Sequence, residues 1–197
     1  MCRWRSALNY LAGLVYGDGS LYHYKKNGEY FTYVYDNDRE FLEEVGELVK
    51  KALGVSYTVV KPSRKKNYYR LQFTSKKIFD YVRWLIGERP KKPTKNFVRG
   101  FLDAEGTLYV DKKGRIVLEI ANRNKEIIDA VAKWLNRKGI RCTVTKHRDR
   151  KGITYKVRIR GWENIRNTID LLDPLHPKIR DKFMKYVRTE SWPRPPP

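Results

Sequence analysis

Acidic residues are scarce in this chain of 197 residues. Its 22 Asp and Glu stand against 43 Lys and Arg, which gives a formal net charge of +21 at pH 7. A one-sided excess of this size repels itself in the folded state, and a polyanion would offset that repulsion. The balance is typical of proteins that bind nucleic acid, although charge alone does not separate DNA from RNA.

Cysteine and histidine are also rare. The two cysteines, Cys2 and Cys142, have neither metal-binding nor redox spacing, and so few cysteines argue against a disulfide framework. The three histidines, His23, His147 and His176, share no metal-ligand spacing, which argues against a His-based nuclease centre. No apolar run reaches membrane-spanning length, and the first residues lack the apolar stretch of a secretory signal. We therefore expect an intracellular protein with no membrane partner.

The chain repeats itself once. Residues 11–19, Leu-Ala-Gly-Leu-Val-Tyr-Gly-Asp-Gly, align with residues 98–106, Val-Arg-Gly-Phe-Leu-Asp-Ala-Glu-Gly. In this alignment Asp18 matches Glu105. Further along, the helical spacing of apolar residues over 41–49 recurs in the second copy, and each of these helices is followed by a glycine that predicts its end. A duplicated unit of this kind predicts two homologous halves.

The pattern predicts an α+β protein made of two pseudo-symmetric αββαββα repeats. Strands are expected near 20–26, 30–36, 55–61, 67–74, 107–111, 115–121, 141–147 and 153–160. Helices are expected to close the repeats over 76–86 and 162–172. The predicted domains are a first repeat over 1–86, a basic proline-rich linker over 87–95, a second repeat over 96–188 and a tail over 189–197.

Small residues lie four positions apart in both motifs, at Gly13 and Gly17 and again at Gly100 and Ala104. Residues at this spacing share one helix face, and small side chains there let two helix backbones approach closely. We therefore expect the two motif helices to pack against each other by these faces.

Each motif helix is expected to end in an acid, Asp18 or Glu105, followed by a glycine, Gly19 or Gly106, in the left-handed conformation. Two carboxylates at adjacent helix C-termini repel each other and the helix dipoles, and a divalent cation would offset that repulsion. Carboxylate and carbonyl oxygens favour a hard ion, most of all Mg²⁺. One acid-glycine pair is typical of an ordinary turn, but its recurrence at the same place in both repeats favours a functional site.

With its two motifs, the chain resembles the LAGLIDADG homing endonucleases in their single-chain form, from about Asn9 to Val187. The resemblance implies that the motif helices form the domain interface and that each half presents a curved antiparallel sheet, the two sheets forming a saddle for double-stranded DNA. It implies that Asp18 and Glu105 hold the divalent ions, helped by the carbonyls of Gly17 and Ala104. The implied reaction is metal-dependent hydrolysis of both strands of a long, specific site across the minor groove, leaving 3′ overhangs, by a monomer that serves intron homing.

Two further positions are candidates for the chemistry. Arg123 stands where the family often has a lysine beside the metal ions, and Asn37 is its counterpart in the first repeat. This departure predicts that one half has a weaker group for organising water or stabilising charge. An ordinary surface role for Arg123 explains the sequence as well. Asp36 and Asp38 are more typical of a helix N-cap than of metal ligands.

Alternation along the predicted strands separates a polar face from an apolar one, and the polar face is expected to meet DNA. Arg suits guanine, Gln suits adenine and Glu suits cytosine in the major groove. The residues expected to bind DNA are Ser20, Tyr22, Tyr24, Lys26, Ser56, Thr58, Lys61, Tyr68, Arg70, Gln72, Thr74, Tyr109, Arg115, Glu119, Arg141, Thr143, Thr145, His147, Thr154, Lys156, Arg158 and Arg160. Basic residues in loops or near strand ends are expected to meet phosphates, among them Lys61, Arg64, Lys65, Lys66, Lys91, Lys92, Lys146, Arg148, Arg150 and Lys151.

Three other functions are compatible with the charge. An RNA maturase that helps its host intron fold would have intron RNA as its partner, but RNA binding alone does not need the paired acids. A nuclease-inactive DNA-binding regulator could lose the acids without penalty, yet both are present. A structural RNA-binding protein leaves the doubled motif unexplained. The sequence therefore favours the endonuclease.

Overall fold

The structure is a computed structural model, and it describes residues 3–63, 67–88, 92–150 and 152–188. The elements are, in chain order, α1 (Arg3–Asp18), β1 (Gly19–Tyr24), β2 (Glu29–Asp36), α2 (Arg39–Leu53), β3 (Thr58–Val60), β4 (Tyr69–Thr74), α3 (Lys76–Glu88), α4 (Lys95–Glu105), β5 (Gly106–Val110), β6 (Ile116–Asn122), α5 (Lys125–Arg137), β7 (Cys142–Asp149), β8 (Gly152–Arg160), α6 (Trp162–Leu172) and α7 (Pro177–Arg188). The predicted α+β fold with two repeated αββαββα units is confirmed. No described helix is long and apolar enough to cross a membrane.

The chain divides into two compact units. Unit 1 comprises residues 1–90 and 94–104, and unit 2 comprises residues 91–93 and 105–197. Helix α4 therefore belongs with unit 1 in space, although in sequence it opens the second repeat. The physical reason is its close packing on α1, which is described below.

In unit 1 the strands form one antiparallel sheet with the order β1-β2-β4-β3. Residues that pair across neighbouring strands share a face, so Val34 of β2 and Leu71 of β4 point the same way, towards the core. Both are buried, as are Phe41 and Val45 of the amphipathic helix α2. Three helices of this unit, α1, α2 and α3, cover this face of the sheet. The opposite face is left uncovered by them.

In unit 2 the sheet has the corresponding order β5-β6-β8-β7. Leu118 of β6 pairs with Ile159 of β8, and both are fully buried on the face that α5 and α6 cover. Helix α5 begins at an N-cap, Asn124, whose side chain accepts a hydrogen bond from the Glu126 N–H. The same arrangement opens α2, where Asp38 accepts from the Phe41 N–H at 3.0 Å. Asp38 is thus the helix cap that the sequence predicted.

One strand is shorter than predicted. The segment expected to be extended over 55–61 pairs only as β3, from Thr58 to Val60. The preceding Tyr57 is held against α2, where its hydroxyl donates to Glu47 at 3.0 Å. The following Pro62 has no backbone N–H with which to continue the ladder. Ser56, predicted to lie on the DNA face of this strand, is exposed but lies outside any strand.

Helix α7 was not predicted. It buries only Ile179 and Phe183, one turn apart, and Phe183 stacks on Trp162 with ring centroids 5.2 Å apart. Pro177 opens it at the first helical position, where a missing N–H costs nothing. This proline and the spacing of the two apolar residues are the sequence signal for α7, which the many charged residues around them obscure.

Candidate functional site

Helices α1 and α4 touch backbone to backbone at two glycines. A Cβ atom added at Gly13 would overlap the carbonyl oxygen of Phe97 and lie 2.7 Å from the backbone nitrogen of Phe101. One added at Gly100 would overlap the carbonyl oxygen of Tyr10. The two helix backbones can come this close only because neither Gly13 nor Gly100 has a side chain. The predicted close packing of the two motif helices is confirmed at Gly13 and Gly100.

Two polar contacts fix this helix pair. The Tyr10 hydroxyl donates to the fully buried Asp103 carboxylate at 2.7 Å, and the Thr94 hydroxyl donates to the side-chain oxygen of Asn9 at 2.9 Å. Burial is the main reason why the pKa of Tyr10 is raised well above its usual value, and the neighbouring Asp103 raises it further. Thr94 also accepts from the Phe97 N–H at the start of α4. The register of α4 along α1 is therefore set by specific hydrogen bonds as well as by the glycines.

Asp18 is the last residue of α1, and its side chain is exposed. The glycine that follows is not in the left-handed conformation, so that prediction is wrong for both motifs: Gly19 begins β1 and Gly106 begins β5. Glycine is needed at position 19 because there is no space for a side chain. A Cβ atom there would lie 2.5 Å from both the Tyr33 carbonyl oxygen and the Val15 Cα. The helix runs directly into the strand, which places the acid at the junction.

Glu105 is the last residue of α4 and is half-buried. Its carboxylate accepts a hydrogen bond of 2.6 Å from the side-chain nitrogen of Asn122, at the end of β6. The side-chain oxygen of Asn122 in turn accepts from the Asn124 N–H at 2.9 Å. Asn122 therefore orients the Glu105 carboxylate from the turn between β6 and α5. Sequence reasoning missed Asn122, although its position at the end of the second strand after the motif was a usable signal.

Asp36 occupies the matching position in unit 1. In each unit the glycine after the motif pairs with the next strand: Gly19 pairs with Val34 of β2, and Gly106 pairs with Ile120 of β6. Asp36 comes two residues after Val34, just as Asn122 comes two residues after Ile120. Its side chain accepts from the Asp38 N–H at 2.8 Å, as Asn122 accepts from Asn124. The two halves thus share a turn but differ in its chemistry.

The predicted catalytic residues Asn37 and Arg123 both lie in these turns, one residue before the helix cap, and both are exposed. Their matching placement agrees with the alignment of the repeats. The structure brings each of them to the end of the second strand after its motif, β2 or β6, but it shows no contact that assigns either a role. Their participation in the chemistry remains a prediction.

The acids fit a hard divalent cation by donor chemistry. Within residues 3–63, 67–88, 92–150 and 152–188, no group of three or more His, Cys, Asp or Glu side chains forms a ready-made metal cage. Mg²⁺ does not require one, since it usually keeps several waters and binds through one or two carboxylates. Asp18 and Glu105, each preceded by a small residue, Gly17 or Ala104, offer oxygen ligands of this kind.

In unit 2 the sheet brings the predicted DNA-binding side chains onto one face. Arg158 pairs with both Glu119 and Thr143, and Lys156 pairs with Thr145. Cross-strand partners share a face, so the remaining members follow by alternation. They are Tyr109, His147, Thr154, Arg160 and, beyond the strand ends, Arg115 and Arg141.

Glu119 is the centre of this face. It is only 7% exposed, and its carboxylate accepts from Tyr109 at 3.0 Å, Lys156 at 2.8 Å and Arg158 at 2.6 Å. Burial raises the pKa of Glu119, but the three hydrogen bonds together outweigh this and hold the pKa below its usual value. Glu119 thus holds the side chains of Lys156 and Arg158 in place. Its predicted contact with cytosine remains a prediction.

We expect Glu119→Gln to lower the free energy of unfolding at pH 7 by about 1–2 kcal/mol, because Lys156 and Arg158 lose a largely buried counter-charge. Because its pKa is lowered by folding, Glu119 stabilises the protein above the usual glutamate pKa and loses that effect as the pH falls. The difference between wild type and variant should therefore shrink below pH 4.5. Urea unfolding across this pH range measures it. The exposed Glu44→Gln serves as control, and an equal effect of both substitutions would contradict the role of Glu119.

In unit 1 the corresponding face is mostly aromatic. The predicted residues Ser20, Tyr22, Tyr24, Thr58, Tyr68, Arg70, Gln72 and Thr74 lie on it by register and alternation. Between them lie three side chains of β2 that sequence reasoning missed: Phe31, Tyr33 and Tyr35. They were missed because the search was for polar residues, whereas the alternation of β2 itself places them opposite the buried Thr32 and Val34.

The predicted phosphate contacts that the structure describes are all exposed, in loops or in the hairpin of β7 and β8: Lys61, Lys92, Lys146, Arg148 and Arg150. Among them, Lys146 of β7 pairs with Tyr155 and Arg148 pairs with Ile153, so by register both belong to the covered face of the sheet and not to the uncovered one. Lys26, predicted on the DNA face by alternation, is exposed in the turn after β1. Arg64, Lys65, Lys66, Lys91 and Lys151 lie outside the described residues, as do the predicted tail over 189–197 and part of the predicted linker over 87–95.

Known proteins share both the sequence and the fold. Residues 6–87 and 92–172 each match the LAGLIDADG-like domain. The homing endonuclease I-DmoI of Desulfurococcus mucosus is 28% identical over 188 residues, covering 86% of this chain and 91% of that protein. An uncharacterized protein of Methanocaldococcus jannaschii is 30% identical over 152 residues, covering 70% of this chain and 56% of its own length. The match to a second uncharacterized protein of the same organism covers 50% of that protein, so this chain spans about half the length of these two relatives.

Several solved structures have a similar fold. A structure of mesophilic variants of I-DmoI has a TM-score of 0.70 and 28% identity, covering 90% of this chain and 98% of the other. The complex of I-DmoI with DNA and Ca has a TM-score of 0.66 at 25% identity, covering 91% and 98%. The I-LtrWI LAGLIDADG homing endonuclease, bound to its target DNA, shares the fold alone, with a TM-score of 0.61 at 13% identity over 95% of this chain and 92% of its own.

Proposed function

Because this chain belongs to the LAGLIDADG family, we propose that it is a site-specific DNA endonuclease that hydrolyses both strands of a long duplex site. The observation that carries the proposal is the duplicated junction of motif helix and strand, with Asp18 at one copy and Glu105 at the other. The glycines and the Tyr10–Asp103 hydrogen bond account for the contact between α1 and α4. Acids retained at both junctions in so basic a chain fit catalysis better than binding alone.

Each acid is assigned to a divalent cation, most favourably Mg²⁺, with the carbonyl oxygens of Gly17 and Ala104 as further ligands. When bound, such an ion polarises a phosphoryl oxygen and promotes ionisation of a coordinated water. Asn122 holds the Glu105 carboxylate in one orientation. Arg123 and Asn37 are proposed to organise water or to stabilise the developing charge on the scissile phosphates. I-DmoI, a relative of this chain, has been crystallised with DNA together with Ca or Mn.

The two sheet faces are proposed to bind the duplex, and the exposed lysines and arginines around them to bind phosphates. Cleavage across the minor groove with 3′ overhangs is the proposed outcome. The chain carries both motifs, so it is proposed to act as a monomer of 23.5 kDa.

Selection from a randomised duplex library with Mg²⁺ tests the activity. Wild-type protein should enrich cleaved molecules that share one long, partly asymmetric site, and the Asp18→Asn/Glu105→Gln double variant should enrich none. If neither protein cuts but both bind one duplex sequence, the chain is a DNA-binding regulator and the endonuclease proposal is wrong.

Binding to the selected duplex should weaken steeply with salt. Neutralising six or more phosphates would reduce the affinity roughly 1000-fold between 50 and 200 mM salt, because condensed counterions are released. Arg150→Ala, in the turn between β7 and β8, should lower the slope of log affinity against log salt by about 1. Fluorescence anisotropy over a salt series measures this. Lys133→Ala, on α5 at the covered side of the sheet, should leave the slope unchanged, and a flat dependence in wild type would refute the assignment.

A further inference from the structure

The uncovered sheet faces of the two units carry different chemistry at matching positions. In unit 2, Glu119 pairs with Arg158 across β6 and β8. In unit 1 the same place in the sheet is held by Tyr33, which pairs with Gln72 across β2 and β4. The network of acid and cations is thus replaced by a tyrosine, a glutamine and the neighbouring Arg70.

The aromatic side chains of unit 1 form a continuous row, which we call the aromatic row: Tyr24, Tyr22, Phe31, Tyr33, Tyr35 and Tyr68. Consecutive ring centroids along it are 6.3, 6.4, 5.6, 6.2 and 5.7 Å apart. Tyr22 is 51% exposed, and the others are half-buried. The helices of unit 1 pack on the other side of this sheet, so burial in the core does not explain the row.

Cations are correspondingly few on this face. The β4 side chains there are Arg70, Gln72 and Thr74, against Lys156, Arg158 and Arg160 at the same positions of β8. The guanidinium of Arg70 lies over the Tyr33 ring at 4.5 Å and donates to the Gln72 side-chain oxygen at 3.1 Å. This face therefore carries little charge, and the guanidinium of Arg70 is already in contact with Tyr33 and Gln72.

The four bases present different groups in the major groove, so the two sheet faces suit different bases. Only thymine presents a methyl group, at C5, and it suits apolar contact, whereas its partner adenine suits the amide of glutamine. Guanine presents two acceptors, N7 and O6, that suit arginine. Phe31 has no hydrogen-bonding group, so an apolar contact or stacking is all that it can offer a base.

We propose that the aromatic row of unit 1 recognises thymine methyl groups, with Gln72 on adenine, so that unit 1 reads an A·T-rich half-site. Unit 2, with Arg158 and Arg160, reads a G·C-rich half-site. The proposal rests on the proposed DNA-binding function and specifies which sequence chemistry each half of the chain recognises.

Base analogues test the proposal without altering the protein. In the selected duplex, every thymine of one half-site is replaced by deoxyuridine, which lacks the methyl group, and binding by the wild-type protein is measured without divalent cation. Each methyl group lost from an apolar contact weakens binding about 4-fold, so two contacts give about 15-fold. We expect this loss in one half-site and less than a 2-fold change in the other. In the other half, 7-deazaguanine, which lacks the N7 acceptor, should weaken binding about 10-fold.

Protein variants assign the half-sites. Phe31→Ser and, separately, the more exposed Tyr22→Ser should bind the normal duplex more weakly and lose most of the sensitivity to deoxyuridine. Trp84→Ser removes an aromatic residue of α3 that is 44% exposed and lies away from the face, and it should keep the full sensitivity. Thermal unfolding checks that each variant is folded.

Equal and small effects of deoxyuridine in both half-sites would overturn the inference while leaving the endonuclease intact. So would tighter binding of unpaired strands than of the duplex, since it would assign the aromatic row to stacking on single-stranded bases. A one-sided deoxyuridine effect in a protein that binds but never cuts would support this inference and contradict the proposed cleavage.

Discussion

Asp18→Asn and Glu105→Gln are each expected to lower the rate of DNA cleavage by at least about 1000-fold while leaving the affinity for the selected duplex within about 3-fold. The substitutions keep the shape of each side chain and remove the charge that would hold a divalent ion, an effect of several kcal/mol on the barrier. Both acids end helices whose packing depends on other residues, so the fold should persist. Single-turnover cleavage and anisotropy, with protein in excess, measure the two quantities separately.

Asp170→Asn and Glu44→Gln are matched controls, since both acids are exposed on helices far along the chain from the motifs. They should cut at the wild-type rate. Normal cleavage by both motif variants would refute the catalytic assignment. A parallel loss of binding and cleavage would assign Asp18 and Glu105 to the structure of the DNA interface instead.

Gly13→Ala and Gly100→Ala are expected to destabilise the protein by about 2–4 kcal/mol each. The added methyl group would overlap a backbone oxygen of the opposite helix, and backbone cannot move aside as a flexible side chain can. Relief would require α1 and α4 to separate, which would also strain the buried Tyr10–Asp103 hydrogen bond. Urea unfolding followed by circular dichroism measures the change.

Gly87→Ala is the control for this effect. Gly87 also lies in a helix, α3, but a Cβ atom added there would meet no heavy atom within 4 Å. The substitution should leave the stability unchanged or raise it by up to about 1 kcal/mol, because alanine loses less backbone entropy than glycine. Equal destabilisation by all three substitutions would contradict the glycine contact as its cause.

Sequence reasoning succeeded where one pattern dictates one geometry. The doubled motif predicted two like units, the glycines predicted close helix packing, and alternation in β4 and β8 placed Gln72 and Arg158 on the uncovered faces. In each case the physical requirement, room for a backbone or burial of alternate side chains, leaves few alternatives.

It failed where the geometry depends on residues distant in the chain. Gly19 was expected to end a helix by its conformational freedom, but the constraint on it is the Tyr33 carbonyl, set by strand pairing. Asn122 became visible as a partner of Glu105 only once β6 was placed beside the motif. Phe31, Tyr33 and Tyr35 of β2 were passed over because apolar and aromatic residues of that strand were expected to face the core.

Strand-resolved cleavage of the selected duplex is the most direct measurement of the central claim. The two strands carry different labels, and wild-type protein is assayed in Mg²⁺ and in EDTA beside the Asp18→Asn/Glu105→Gln double variant. We predict that wild type cuts both strands at fixed positions in Mg²⁺, leaving short 3′ overhangs, and cuts neither strand in EDTA. The double variant should cut neither strand in Mg²⁺. Cleavage in EDTA, or cleavage by the double variant at the wild-type rate, would contradict the account.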